Sequence, residues 1–426
     1  MQSDNEPVRQ LTEHLFRHES KRMTSVLVKI FGTENLETAE DVVQDTLLQA
    51  MNTWKLKGVP DNPSAWLFRV AKNKAIDIIR RNKHSVQFDF SDKEKILLTS
   101  EYTLNSTMEN FWKEEVINDD LLRMMFACCH PGISIENQIT LMLKTLCGFS
   151  TAEIAKAFLT NEDTVSKRLY RTKEFFRQNK IKLEIPSVDE IKNRTDSVLN
   201  TIYLIFNEGY NSTNSEELIR KDVIAEAMTL CKMLAENQHV KQPEVFALMA
   251  LMCFHSSRNE SRTTTEGEII LLPMQDREKW DRLLIEEGNM YMNKAAFGNA
   301  VSTYHIEAAI AYEHCSAKKF KDTNWGRILA YYEWLCRMAP SPINELNRTV
   351  AVMELYGAPA ALEQLENISD KKKLESYYLY YSLFGEIHSR LNNLPAAKKY
   401  FETAIELTHS EQERKMLRNK ILALLN

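Results

Sequence analysis

Few residues in this 426-residue chain have the types and spacing for bond-making chemistry. Cys128-Cys129-His130 offers three metal-ligating side chains in a row. Neighbouring helical side chains diverge by about 100°, so three adjacent ones do not close a tetrahedral shell on one ion. The triplet reads instead as a buried helix end stopped by Pro131-Gly132. Glu208, Asp276, Asp281 and Glu287 could gather as a carboxylate cluster. No base, nucleophile or cofactor loop accompanies them, and salt bridges between helices are the expected use. A glycine-rich phosphate loop, HExxH, GxSxG and a CxxC pair are all missing from the sequence. No catalytic residue, metal ligand or cofactor is expected, and the chain reads as no enzyme by itself.

The chemistry that the spacing does support is recognition by charge. Glu34–Trp54 holds five acids and no Lys or Arg. A helix from near Glu37 stacks Asp41, Gln44, Asp45 and Leu48 on one face, while Val43, Leu47, Ala50 and Trp54 form a second, apolar stripe. This is either a solvated face or an acidic, partly apolar docking surface. Charge then reverses: Trp66–His84 carries six Lys/Arg and one Asp. Leu67, Val70, Ala71, Ala75, Ile78 and Ile79 supply its buried stripe at helical spacing, and Arg69, Lys72, Asn73, Lys74, Asp77, Arg80, Arg81 and Lys83 lie off it.

A second basic element has the clearest local grammar. Ile139–Cys147 is an apolar-periodic helix, and Gly148 suits the left-handed position that ends it. Ser150-Thr-Ala-Glu153 is a capping box opening a helix over Ser150–Phe158. Thr160-Asn-Glu-Asp163 opens another, from Glu162 to about Gln178. There Val165, Leu169, Thr172 and Phe176 face inward, while Thr164, Ser166, Lys167, Arg168, Tyr170, Arg171 and Lys173 remain outside. Helix, short turn, then a helix with outward base is the helix-turn-helix pattern, in which the last helix enters a DNA major groove.

The elements that must position these residues are helices throughout. Eleven glycines and eleven prolines are less than half the average usage of roughly 12%, and an all-α fold follows. The length predicts two to four domains. The first ten residues carry no apolar signal core, and the longest clean apolar run, Ala247–Phe254, is far below the roughly 20 residues needed to span a bilayer. Seven cysteines at irregular positions suit a reducing cytosol, so a cytoplasmic protein without membrane association is expected. A net charge of −5 excludes a globally basic coat but not local basic faces. Residues 85–118, without Gly or Pro and rich in Ser, Thr and Asn, read as a polar linker with at most one short helical piece. After Pro186 the chain stays helical, with breaks near Asn207–Asn214, Pro243, Ser256–Gly267, Pro273, Gly298, Pro340–Pro342 and Gly357–Pro359. Near its end Leu383-Phe-Gly385, Ala396-Ala-Lys-Lys-Tyr-Phe401 and Ala404 follow the grammar of a tetratricopeptide-like repeat at about 377–410, on which Asn344–Tyr356 and Ala360–Leu365 should stack.

The order of these features resembles a sigma factor of the extracytoplasmic-function group. DVVQDTLLQAM and AWLFRVAKNKAIDIIRRNK resemble region two, and LCGFSTAEIAKAFLTNEDTVSKRLYRTKEFF resembles region four. FACCHPG, YLIFNEGY, QDREKWDRLLIEEG and PSPINELNRTVAVMELYG resemble the subgroup with a long tetratricopeptide-like C-terminal extension. The chain departs from that subgroup at Thr303–Ala311, where a Gly-Pro-Tyr-Gln string is common. The resemblance implies region two over 8–86, a linker over 87–118, region four with its helix-turn-helix over 119–185, and a superhelical extension over 186–426.

It also implies a promoter-specificity subunit that binds core RNA polymerase, at the largest-subunit clamp helices and the flap region, and promoter DNA. Asp41, Gln44, Asp45 and Leu48 match the polymerase contact. Asn73 falls where the family contacts a base of the minus-ten element, with Lys74, Arg80, Arg81 and Lys83 on the phosphates. Thr164, Ser166, Lys167, Tyr170 and Arg171 match the contacts in the minus-thirty-five groove. The extension would supplement control of the sigma domains, in intramolecular contact with the linker or region four. Two other readings are a one-component helix-turn-helix regulator with a peptide-sensing tail, and an enzyme housed in residues 186–426. The acidic docking helix and the second basic helix argue against the first.

Overall fold

The computed structural model describes residues 6–81, 114–157, 160–184, 186–211, 219–238 and 240–424. Helices dominate them, and the one β feature is an isolated antiparallel bridge between Thr263 and Ile269. The chain divides into two compact units, residues 1–205 and 206–426. None of the described helices is long and apolar enough to cross a membrane.

The first unit begins with α1 (Glu6–Phe31), α2 (Leu36–Lys57) and α3 (Pro63–Arg81). The three close on an aromatic seam in which Trp54 lies 5.5 Å from both Phe16 and Trp66. Buried Glu19 organises the polar side of the seam: Arg22 donates to it at 3.0 Å and Ser64 at 2.9 Å. Val43, Ala50 and Trp54 of the apolar stripe are buried, and Leu47 is half-buried. On α3 the buried set is Leu67, Ala71, Ala75, Ile76 and Ile79. Ile76 therefore replaces Ile78, which with Val70 is only half-buried, because the packed face of α3 is rotated by part of a turn from the sequence reading.

Helix α4 (Glu114–Cys128) starts inside the stretch read as linker, so Glu114–Asn118 belong to a helix; the linker residues before Glu114 lie outside the described ones. Helices α5 (Ile135–Thr145), α6 (Thr151–Ala157) and α7 (Glu162–Asn179) follow. Gly148 between α5 and α6 has φ +68°, a left-handed conformation that costs glycine no Cβ clash. The Ser150 box closes reciprocally: Glu153 N–H donates to Ser150 Oγ at 3.1 Å and Ser150 N–H to Glu153 Oε2 at 2.7 Å. At the start of α7 the cap is Asn161, whose Oδ1 accepts from Thr164 N–H at 2.8 Å.

Helix α8 (Val188–Tyr210) contributes its N-terminal part to the first unit. Its Arg194 donates to the carbonyl of Phe126 on α4, and Thr195, Val198, Leu199, Thr201 and Ile202 are buried. The division of the chain into two units thus falls after Ile205, inside a helix.

The second unit holds α9 (Lys221–Glu236), α10 (Pro243–Ser256), α11 (Arg282–Ala295), α12 (Thr303–Ser316), α13 (Trp325–Met338), α14 (Pro342–Tyr356), α15 (Ala358–Glu366), α16 (Tyr378–Arg390), α17 (Leu394–Leu407) and α18 (Glu411–Ala423). Helix α10 contains the Ala247–Phe254 run, is apolar on every side and is buried on every side, as such a helix must be. Helices α12 to α16 share one core around Ile328, Leu346, Ala361, Leu365 and Ile387. At Gly385 a Cβ would come within 2.5 Å of the Phe401 ring, so glycine lets α16 and α17 approach edge to ring.

Candidate nucleic-acid interface

Every residue of the acidic docking set is at the surface. Asp41, Gln44, Asp45 and Leu48 are exposed along one face of α2, because Val42, Val43, Thr46 and Ala50 turn the opposite face into the core. The sequence reading missed the continuation of this face. Met51 follows Leu48, with 58% and 57% of their surfaces exposed, and Leu56 and Val59 extend the apolar surface at 85% and 54%. An acidic stripe that runs into exposed aliphatics suits a partner with basic and apolar patches. The signal was available in the sequence: Met51 is seven residues beyond Gln44, on the same face.

The basic face of α3 lies beside it. Asn73, Arg80 and Arg81 are exposed, and Lys74 is half-buried with its ammonium 3.6 Å from Asp45. So one residue assigned to DNA and one assigned to polymerase touch each other. At these exposures such a pair is worth a few tenths of a kcal/mol and opens readily. Lys83 lies outside the described residues.

On α7 the inward residues are Val165, Leu169, Thr172 and Phe176, as the periodicity required. Ser166, Lys167, Tyr170 and Arg171 are exposed and Thr164 is half-buried, so the polar set presents one face. Lys167 pairs with Asp163 on its own helix at 2.6 Å. Lys173, read as outward, has a different role: it bonds Glu40 of α2 at 2.8 Å and lies 3.8 Å from Glu37, while Arg177 lies 3.7 Å from Glu37. Thr33, between α1 and α2, donates to the Ile181 carbonyl beyond α7, and Lys29 of α1 pairs with buried Asp120 of α4 at 3.1 Å. The helix-turn-helix is thereby tied to the acidic first turn of α2.

The residues considered for catalysis or metal take structural places. Both thiols of Cys128 and Cys129 are fully buried, facing Thr145 Oγ1 at 3.5 Å and Met142 Sδ at 3.3 Å respectively. Burial pushes Cys129 up to about 12, far from a metal-binding thiolate. His130 turns back on its own loop, its Nδ1 accepting from Gly132 N–H at 3.1 Å. Among the described residues no group of His, Cys, Asp and Glu is arranged to hold a metal ion. Asp276 and Asp281, expected in salt bridges, are helix caps instead: Asp276 accepts from Glu278 N–H at 3.0 Å, and Asp281 from Leu283 and Leu284 N–H at 2.9 and 3.1 Å. Short acidic side chains before an apolar helix satisfy its orphan donors, which was the available sequence signal.

Comparison with known proteins agrees with this arrangement. The sigma-70 region 2 family matches residues 15–85, and a family of unknown function (DUF6596) matches residues 194–296. An uncharacterized protein of Rhizobium meliloti (strain 1021) is 32% identical over 387 residues, covering 91% of this chain and 90% of the relative. The ECF RNA polymerase sigma factor SigL of Mycobacterium tuberculosis is 33% identical over 139 residues, covering 32% of this chain and 72% of SigL. RNA polymerase sigma factor YlaC of Bacillus subtilis is 24% identical over 170 residues, covering 40% of this chain and 92% of YlaC. No solved structure matches the chain. With a region-two bundle carrying an acidic and a basic face, and a relative such as SigL matched over most of its length, the chain belongs to the extracytoplasmic-function group of sigma-70-family RNA polymerase sigma factors, a family of non-enzymatic transcription initiation factors, with a C-terminal extension.

Proposed function

We propose that this sigma factor directs core RNA polymerase to specific promoters through three surfaces of its first unit. Asp41, Gln44, Asp45 and Leu48 dock on the clamp helices of the polymerase largest subunit. Asn73 contacts a minus-ten base, with Lys74, Arg80, Arg81 and Lys83 on the phosphates, a salt-sensitive and sequence-independent role. Thr164, Ser166, Lys167, Tyr170 and Arg171 enter the minus-thirty-five major groove, where polar groups reach base edges and phosphates. Region two spans 8–86, the linker 87–118, region four 119–185, and the extension, with a tetratricopeptide-like repeat at about 377–410, supplements control. The observation that carries this reading is the exposed acidic and aliphatic face of α2 beside the basic face of α3, within the segment matched by sigma-70 region 2. A repressor would need neither face.

Two substitutions separate reading from holding. Arg171→Ala is expected to relax sequence preference in the upstream promoter element, costing about 1–3 kcal/mol if a guanine edge is lost. Arg81→Ala is expected to weaken all promoters alike and to lower the salt slope by roughly one unit. Binding across an upstream-element library checks both, and identical behaviour of the two variants rules out Arg171 as a base reader.

Run-off transcription with purified core polymerase tests the role of the extension. The truncated partner in that comparison ends at Asn211, because α8 packs on α4 through Arg194 and cannot be removed without opening the first unit. Promoter output is expected to change by much more than the thermal stability of the remaining domains. Equal output from the two proteins would leave the extension without a regulatory role.

A further inference from the structure

The second unit contains a group of buried cations that no described carboxylate neutralises by an ion pair. Arg262 and Arg277 are each 8% exposed. Arg262 lies 3.7 Å above the Tyr210 ring, and its guanidinium is held by the Tyr210 carbonyl and by Asn211 Oδ1 at 3.4 Å. Arg277 packs 4.7 Å from the Trp280 ring and donates to the His314 carbonyl, to the Ala317 carbonyl at 2.8 Å and to Thr323 Oγ1 at 3.4 Å. Arg258 shares the same Trp280 ring at 5.4 Å. Among the described residues no hydrogen bond or ion pair reaches its guanidinium, and its buried Nε has no acceptor. The Trp280 indole N–H, in a residue 2% exposed, has none either.

This pattern is costly unless something completes it. Buried donors are almost always satisfied, and a buried charge is normally paired. Here one of three guanidiniums has an orphaned Nε–H and packs on the ring of the orphaned indole N–H, so the field favours an anion and the free hydrogen-bonding capacity asks for an acceptor. Two neutral imidazoles in the group, His255 and His314, also carry an unpartnered buried Nδ1. Burial, and then Arg258, hold both at about 3, so both are neutral and the positive charge of the group is that of the three arginines. A planar guanidinium fork matches oxyanions, and three positive charges favour a dianion over a monoanion.

We propose that the second unit binds a phosphoryl oxyanion, inorganic phosphate or the phosphate of a small metabolite, with Arg258 and the Trp280 indole N–H donating to it and Arg262 and Arg277 fixed nearby as a positive field. The hydrogen bonds of Arg262 and Arg277 to backbone carbonyls keep them in place whether or not the anion is bound. Arg258 is the residue with donors to spare, so it carries the contact.

Titration calorimetry and phosphorus NMR line-broadening on the full-length chain, at constant ionic strength, test this. Inorganic phosphate and glycerol 3-phosphate are the probes, with acetate and chloride as comparisons. Saturable binding of at least one phosphate probe is expected, and their ranking distinguishes the free ion from a phosphomonoester. Arg258→Gln is expected to weaken it at least tenfold, and Trp280→Phe, which keeps the ring, about fivefold for one lost hydrogen bond. Should Arg258→Gln fail to fold by circular dichroism, Trp280→Phe decides. Acetate binding as tightly as phosphate, an equal response to chloride, no saturable binding, or unweakened binding by a folded Arg258→Gln variant would each overturn the assignment.

Discussion

Replacing both Asp41 and Asp45 with Lys is expected to abolish co-purification with core RNA polymerase while the helical circular dichroism signal persists. Both side chains are exposed on α2 and make no contact with the core, so the fold loses little. Among the described residues the one ion pair affected is that of Lys74, 3.6 Å from Asp45, a partly exposed pair of small worth. Across an interface the balance differs. Inverting charges that meet a complementary surface replaces attraction by repulsion, and truncating one such desolvated group already costs about 2–5 kcal/mol. Two inversions on one face therefore lower affinity by at least about a hundredfold. Undiminished polymerase binding by the double variant would remove the docking assignment. Leu48→Ala is the companion, expected to weaken binding without altering its salt dependence.

The second large effect is on stability. Arg277→Met is expected to destabilise the second unit by about 3 kcal/mol, since the lost side chain strands the carbonyls of His314 and Ala317 where α12 ends. Removing one of several like charges offsets part of that loss. For a unit of this size, about 3 kcal/mol lowers the midpoint by roughly 6–12 °C. A scanning-calorimetry trace in which the transition of residues 206–426 moves down while that of residues 1–205 stays is the expected result. A shift under about 2 °C, the effect of a single weak contact, would show that Arg277 does not clamp α12.

What was legible in the sequence was what is local. The Ser150 box, the left-handed Gly148, the inward stripe of Val165, Leu169, Thr172 and Phe176, and the helix breaks at Pro243 and Pro342 all depend on residues within a turn or two of each other. Long-range partners were not legible. Lys173 has the spacing of a solvent-facing residue, and only the packing of α7 beside α2 gives it Glu40. Arg277 lies in a string that could have suggested an enzyme, yet its acceptors are two carbonyls and a hydroxyl 37, 40 and 46 residues further along the chain. The Ile76 correction has the same origin: periodicity defines a stripe to within a turn, and the neighbouring helices decide which edge of it is covered. The acidic face of α2 and the basic faces of α3 and α7 were legible by type and spacing, but the aliphatic continuation at Met51 and Leu56 was passed over because exposed apolar residues look like core until a core is seen elsewhere.

The acidic first turn of α2 also bears on how promoter binding responds to salt. Glu37 and Glu40 occupy Lys173 and Arg177 much as phosphates would. When a lysine meets a phosphate, the duplex sheds condensed cations, and the logarithmic slope of affinity against salt counts those released ions. While Lys173 and Arg177 stay paired to these carboxylates they displace no cations from the duplex, so the salt slope expected for the proposed promoter contact counts fewer phosphates than α7 has positive charges.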